Sequence, residues 1–229
     1  MCRRPLVIAV DGPGGAGKTS ASRRLADELG VPYLSTGVMY RAVGLAVLNA
    51  GLDLEDEAGI SSFLQTLEMQ VTLQGSEPIV RINGIAQGAE LRTPEAAEMA
   101  SHVATMPAVR RFLVAQQRQI AESTGGVIEG RDIGTRVLPQ APYKFYLDAS
   151  LEVRARRRGE ELSAVGRQVD HDVLLQQLAN RDHKDRTRSD SPLTYDESYT
   201  YLDTSSMTLG QVVAAMLSHV QAGDPACCA

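Results

Sequence analysis

The feature that most restricts this chain is a glycine loop, Gly12-Pro13-Gly14-Gly15-Ala16-Gly17-Lys18-Thr19, which satisfies the pattern G-x-x-x-x-G-K-[ST]. Its surroundings matter as much as its letters. Leu6 to Val10 is a continuous apolar run, the pattern of a strand buried on both faces. After the loop, Ala21, Leu25, Ala26 and Leu29 recur at helical spacing, and Gly30 with Pro32 supplies a stop. Strand, glycine loop and helix in that order form a phosphate-binding loop. Glycines let consecutive backbone N–H groups curl around phosphates, and the helix N-terminus adds partial positive charge. Gly12 to Lys18, with Thr19 and Ser20, are therefore expected to hold a nucleotide's phosphates. Lys18 would bridge the β and γ phosphates. The Thr19 hydroxyl, or that of Ser20 if the register shifts by one, would sit on Mg²⁺.

A phosphate loop alone leaves motor, switch, kinase and passive binder open. Composition narrows the field. With 229 residues, 43% hydrophobic and 22% charged, the chain suits one sizeable folded domain, with or without an insert. No stretch approaches the roughly 20 apolar residues of a membrane span, and no apolar signal core follows Arg3 and Arg4. Cys2, Cys227 and Cys228 lie at the chain ends and are odd in number, so a disulfide framework is not expected. A cytoplasmic protein with no membrane partner is the expectation. The net charge of -5 argues against a globally basic nucleic-acid binder, so phosphate recognition has to be local. Of the 23 basic residues only Lys18, Lys144 and Lys184 are lysines. The rest are arginines, whose rigid fork grips phosphate at two points.

Further buried strands are expected at Val127 to Glu129, Tyr143 to Asp148 and Tyr199 to Asp203, alternating with helical segments. The fold class is therefore α/β, with a mainly parallel central sheet flanked by helices. Leu209, Val212, Val213, Met216, Leu217 and Val220 mark a closing amphipathic helix, and Thr208 with Gln211 makes its capping box. Between about Glu68 and Gly88 the period changes to two. Met69, Val71 and Leu73 alternate, Gln74 to Pro78 reads as a turn, and Ile79, Arg81 and Asn83 continue the alternation. That is a small antiparallel insert, with a third strand through Leu91 conceivable. Two stretches concentrate arginine: Arg154, Arg156, Arg157, Arg158 and Arg167, then Arg181, Arg186 and Arg188 with Lys184, Asp182 and Asp185 between them.

Taken together with Ser35-Thr36-Gly37-Val38-Met39-Tyr40-Arg41, Glu129-Gly130-Arg131-Asp132-Ile133-Gly134-Thr135 and Arg181-Asp182-His183-Lys184-Asp185-Arg186-Thr187-Arg188, the loop resembles that of bacterial cytidylate kinases. The resemblance runs from about Val7 to Val220. It implies a P-loop kinase fold in which ATP phosphorylates CMP or dCMP, with Mg²⁺ as cofactor and a monomer as the working unit. It also implies a core of about 5–60 and 105–222, a monophosphate-binding insert of about 61–104 and a short lid of about 155–170. Residues 223–229 would be a disordered tail. By the same resemblance Thr36, Arg41, Arg131 and Arg188 hold the acceptor phosphate, Arg181 and Asp185 the ribose, and Ser101, Arg110 and Asp132 the cytosine. Lys18, Arg131, Arg188 and the lid arginines Arg154, Arg157 and Arg158 share the catalytic work.

Physical reasoning runs beside the resemblance. An acceptor monophosphate brings about two negative charges next to those of ATP, so several cations are required. Cytosine offers an exocyclic amine beside acceptors, which suits a carboxylate, an arginine and a hydroxyl; uracil would turn a carbonyl to the carboxylate. Tyr40 either packs or touches substrate. Glu129, ending its strand, either reaches Mg²⁺ through water or is structural. Thr36 stands where the family usually has serine, and Thr19-Ser20 where it has Gly-Thr or Ser-Thr; both keep a hydroxyl. Alternatives remain a kinase for another small acceptor, or a nucleotide switch. The latter lacks an obvious N-K-x-D guanine-reading motif here.

Overall fold

The computed structural model describes residues 5–74, 77–164 and 166–223. Cys2, Cys227, Cys228, the tail from 224 onward and the hairpin tip at 75–76 lie outside the described residues.

The apolar run at the start becomes β1 (Val7–Asp11), the middle strand of a five-stranded sheet. The sheet's other strands are β2 (Tyr33–Ser35), β6 (Gly126–Glu129), β7 (Tyr143–Asp148) and β8 (Thr200–Asp203). The spatial order is β2-β6-β1-β7-β8, and every pairing is parallel. Alternation within β1 explains why the run lacks a polar face: Ile8 and Val10 join one core, while Ala9 joins the core on the other side. Tyr33 and Leu34 divide in the same way, as do Val127 and Ile128.

One face is covered by α1 (Lys18–Leu29) and α8 (Leu209–Gly223). Helix α1 stops where Gly30 takes up the left-handed conformation (φ 64°) that glycine adopts without strain. At the start of α8 the Thr208 amide donates to Gln211 Oε1 at 2.9 Å, and the Gln211 amide to Thr208 Oγ1 at 3.3 Å, the reciprocal cap expected there. Val212, Val213, Met216 and Val220 of its apolar face are buried, whereas Leu209 is exposed.

The other face is covered by α2 (Thr36–Asn49), α3 (Glu57–Thr66), α4 (Pro94–Val103) and α5 (Pro107–Thr124). A separate antiparallel sheet, β3 (Met69–Gln74), β4 (Glu77–Ile82) and β5 (Ile85–Ala86), packs against this group. Two corrections to the sequence reading arise here. The buried residues of β4 are Val80 and Ile82, one position out of phase with Ile79 and Arg81, and Pro78 belongs to the strand opposite Leu73. Asn83, with positive φ, and Gly84 form the next turn, so the third strand is Ile85–Ala86; Leu91 sits in the 3-10 turn Ala89–Arg92.

Finally, α6 (Leu151–Ala164) and α7 (His171–Thr187) form a hairpin with its own small core of Ala155, Leu174 and Leu178. The expected lid span is thus mostly helical. Among the described residues no helix is long and apolar enough to cross a membrane.

Candidate active site

The carboxyl ends of β1, β2 and β6 open into one cleft, where an α/β sheet offers its ligand crevice. The glycine loop forms one wall. Gly12 cannot be replaced freely, because its φ is 142° and an added Cβ would lie 1.9 Å from the Leu147 carbonyl oxygen. Lys18 is buried, and its Nζ donates to the Pro13 carbonyl at 2.6 Å. Burial, reinforced by the nearby Arg131 charge, pulls its ammonium down to about 7. Gly14, Gly15, Gly17, Thr19 and Ser20 also line the cleft, while Gly12, Pro13 and Ala16 support it from behind.

Glu129, at the end of β6, ties three elements together. Its Oε1 accepts from Thr19 Oγ1 at 2.8 Å, Ser35 Oγ at 2.8 Å and the Tyr33 hydroxyl at 3.0 Å. Its carbonyl accepts from Thr36 Oγ1 at 2.9 Å, at the start of α2. A hydroxyl beside a carboxylate, open to the space where phosphates would lie, fits Mg²⁺, which takes one or two protein oxygens and completes its shell with water and phosphate. No group of three or more His, Cys, Asp or Glu among the described residues makes an all-protein cage.

The opposite wall carries the residues that the resemblance assigns to the acceptor, scattered in the sequence over 36–188. Thr36, Tyr40 and Arg41 come from α2, Ser101 from α4, Arg110 from α5 and Arg131 with Asp132 from the loop after β6. Arg181 and Asp185 lie on α7, and Arg188 immediately follows it. All of them line the same cleft. Arg131 Nε donates to Asp185 Oδ2 at 3.0 Å. Arg188 approaches Asp132 Oδ1 at 3.4 Å and Asp185 Oδ1 at 3.9 Å. Arg110 is paired to Asp132 and reaches the Tyr40 hydroxyl at 3.3 Å. Tyr40 therefore both packs and faces the cleft, and burial raises its phenol to about 12.

The cations outnumber their partners. Arg181 is drawn down to about 10 by burial and then by Arg131, and its Nε has no hydrogen-bond partner. Burial also lowers Arg41 and Arg188. Buried cations held at a cost to their charge describe a site prepared for polyanions.

The three lid arginines separate. Arg158 lines the cleft. Arg154 does not: it is buried, donating to the carbonyls of Ala149 at 2.9 Å and Gly14 at 3.1 Å, and pairing with Asp182 at 2.7 Å. Arg157 turns to Thr204, donating to its Oγ1 at 3.0 Å and its carbonyl at 2.7 Å. Both are taken up by these partners, and neither lines the cleft.

Sequence reasoning also passed over Asp11. This fully buried carboxylate accepts from the amides of Ile133 and Gly134 and from the Tyr199 hydroxyl, each at 2.8 Å. Burial pushes it up to about 6 against those three bonds. It joins the start of the glycine loop to the π-helical turn Ile133–Val137 just past Asp132. The only signal in the sequence was an aspartate closing an apolar run, which reads equally well as a turn residue.

Comparison with known proteins settles the family. A model of the cytidylate kinase family matches residues 8–222. The chain belongs to the cytidylate kinase family. Among its relatives, the cytidylate kinase of Mycobacterium leprae (strain Br4923) is 45% identical over 217 residues, 94% of this chain and 96% of that one. That of Caldanaerobacter subterraneus subsp. tengcongensis is 44% identical over 213 residues, 93% of each. A solved structure of an uncharacterized protein from Eubacterium ventriosum aligns with a TM-score of 0.53 at 12% identity, covering 94% of this chain and 98% of that chain; this likeness shows the fold alone. Family membership makes the chain a nucleoside monophosphate kinase, a phosphotransferase with an α/β fold of five parallel strands.

Proposed function

We propose that this cytidylate kinase passes the γ-phosphoryl group of ATP to CMP and dCMP, giving CDP and dCDP plus ADP, with the cleft divided into a donor side and an acceptor side. One observation carries the division: Lys18 of the glycine loop shares a single cleft with Arg41, Arg131, Arg181 and Arg188. Two anionic ligands brought face to face would repel each other strongly unless such cations intervened.

The acceptor is a phosphate oxygen, already ionised at neutral pH, so no strong general base is required. Catalysis rests on alignment and on charge stabilisation. Lys18 leaves the Pro13 carbonyl for the β and γ phosphates. Arg131 and Arg188 exchange part of their pairing with Asp185 and Asp132 for the acceptor phosphate, beside Thr36 and Arg41. Arg158 approaches the transferring group from α6. Arg154 and Arg157 work through the loops that they brace. Arg181 and Asp185 hold the ribose; Ser101, Arg110 and Asp132 read the base. Thr19, with Glu129 behind it, would hold Mg²⁺, whose chemistry is to neutralise charge on the β and γ phosphates.

The same reading assigns about 61–104 to acceptor binding and about 155–170 to the lid, within a single kinase domain that works as a cytoplasmic monomer in pyrimidine nucleotide metabolism. The three-stranded sheet falls inside the first span, which supports it. The test is a coupled ADP-release assay across nucleoside monophosphates. CMP and dCMP should raise ADP release far above the no-acceptor control. Steady hydrolysis without any acceptor dependence would refute transfer, and UMP outpacing CMP would refute the base assignment.

A further inference from the structure

Arg110 is 2% exposed, and its guanidinium is surrounded on all edges. One terminal nitrogen meets Asp132; the other reaches the Tyr40 hydroxyl at 3.3 Å and the Ala104 carbonyl at 3.4 Å. Its Nε makes no hydrogen bond, and the group facing that edge is Asp190, with Oδ2 at 3.6 Å. Asp190 does not line the cleft and is partly open to solvent. The turn after α7 aims it: Ser191 has a φ of 55°, its carbonyl accepts from Arg188 Nε, and its Oγ donates to Asp190 Oδ1 at 2.7 Å.

The consequence concerns what happens when substrate arrives. In the reading above, on which this inference rests, Asp132 turns to the exocyclic amine of cytosine. Arg110 would then keep its burial and lose its charge partner, an arrangement far costlier than the pair itself. We propose that Asp190 is a positioning residue, the counter-ion that takes over Arg110 when the acceptor base engages Asp132. It never touches substrate. It sets acceptor affinity by making the partner exchange possible.

Asp190→Asn and Asp190→Ala should each raise KM for CMP about fivefold or more, while KM for ATP and the ligand-free melting temperature stay put, as suits a partly exposed side chain. Asp190→Glu should recover most of the loss. In an Arg110→Met background, the further change Asp190→Ala should add nothing. An unchanged KM for CMP in Asp190→Ala, or an equal loss with Arg110 already replaced, overturns the proposal. Asp132→Asn separates the two readings. If it abolishes the preference for CMP over UMP while Asp190→Ala is silent, the partner exchange alone falls. If it leaves that preference intact, the base-reading assignment falls and takes the exchange with it.

Discussion

Lys18 offers a test whose size follows from its surroundings. Its ammonium titrates near 7 in the ligand-free fold, against 10.5 for an unhindered lysine. At pH 8 about one Lys18 in ten is therefore protonated, and at pH 6 about nine in ten. Phosphates against Nζ supply the negative charge that burial removed, so the bound enzyme keeps the proton. Binding ATP without acceptor should take up about 0.9 proton at pH 8 and about 0.1 at pH 6. It follows that affinity weakens roughly tenfold per pH unit between about 7 and 10. Titration calorimetry in buffer pairs of equal pH and different ionisation heat reads the uptake directly. Arg181, near 10, is almost fully charged at pH 8 and adds little. No uptake at pH 8, or the same uptake in Lys18→Met, would refute the reasoning. Stability follows the opposite trend with pH. Between about pH 7 and 10.5 the native chain holds fewer protons at Lys18 than the unfolded chain does, so this group's contribution improves as pH rises, and its cost is complete below about 7.

Removing Lys18 as Lys18→Ala should lower kcat by about a hundredfold or more, as the loss of a preorganised cation does; steady-state kinetics at saturating CMP and ATP read it. Arg188→Ala should raise KM for CMP and lower kcat together, because it loses both acceptor contact and charge stabilisation, and an unchanged kcat/KM would contradict that placement. Gly12→Ala forces a Cβ onto the Leu147 carbonyl at an unfavourable φ and should cost about 3 kcal/mol or more, seen as a large fall in melting temperature. The α6–α7 hairpin and the β3–β5 insert should gain hydrogen-exchange protection with CMP and an ATP analogue, since closure must exclude water as a competing acceptor.

The parts of the molecule that could be read from the sequence are those where one local pattern had one physical meaning. The glycine loop, β1 and α8 are of this kind: a turn-forming glycine cluster, an unbroken apolar run and a capped amphipathic face. Helix α2 is different. Half of it is buried on several sides, from Met39 through Val47, so its polar stripe is too thin to announce a period. Strand β4 misled because Ile79 looks like a core residue and is 37% exposed, while its register is fixed across the hairpin by Val71 opposite Val80. Residues of the site were legible where they stood in a motif, as Arg131 and Asp132 do. Ser101 and Arg110 carry no local signal and are joined to the others only by the crossing of α4 and α5 over the sheet. Asp11 and Asp190 act by holding something else, which a linear pattern does not record.

The segment Arg181 to Arg188 shows why arginines and aspartates alternate there. Asp182 faces the donor side, pairing with Arg154, which in turn holds the Gly14 carbonyl. Asp185 faces the acceptor side, between Arg131 and Arg188. One helix thus touches both walls of the cleft, through Asp182 on one side and Asp185 on the other. At about 1.5 Å of rise per residue, Asp182 and Asp185 are separated by about 4.5 Å along α7, and that spacing cannot change without unwinding the helix. Phosphoryl transfer needs donor and acceptor oxygens in line, and small misplacements are expensive. The acids therefore do more than balance charge: they fasten a ruler across the gap that the phosphoryl group must cross, and they keep the arginines paired until phosphates replace them.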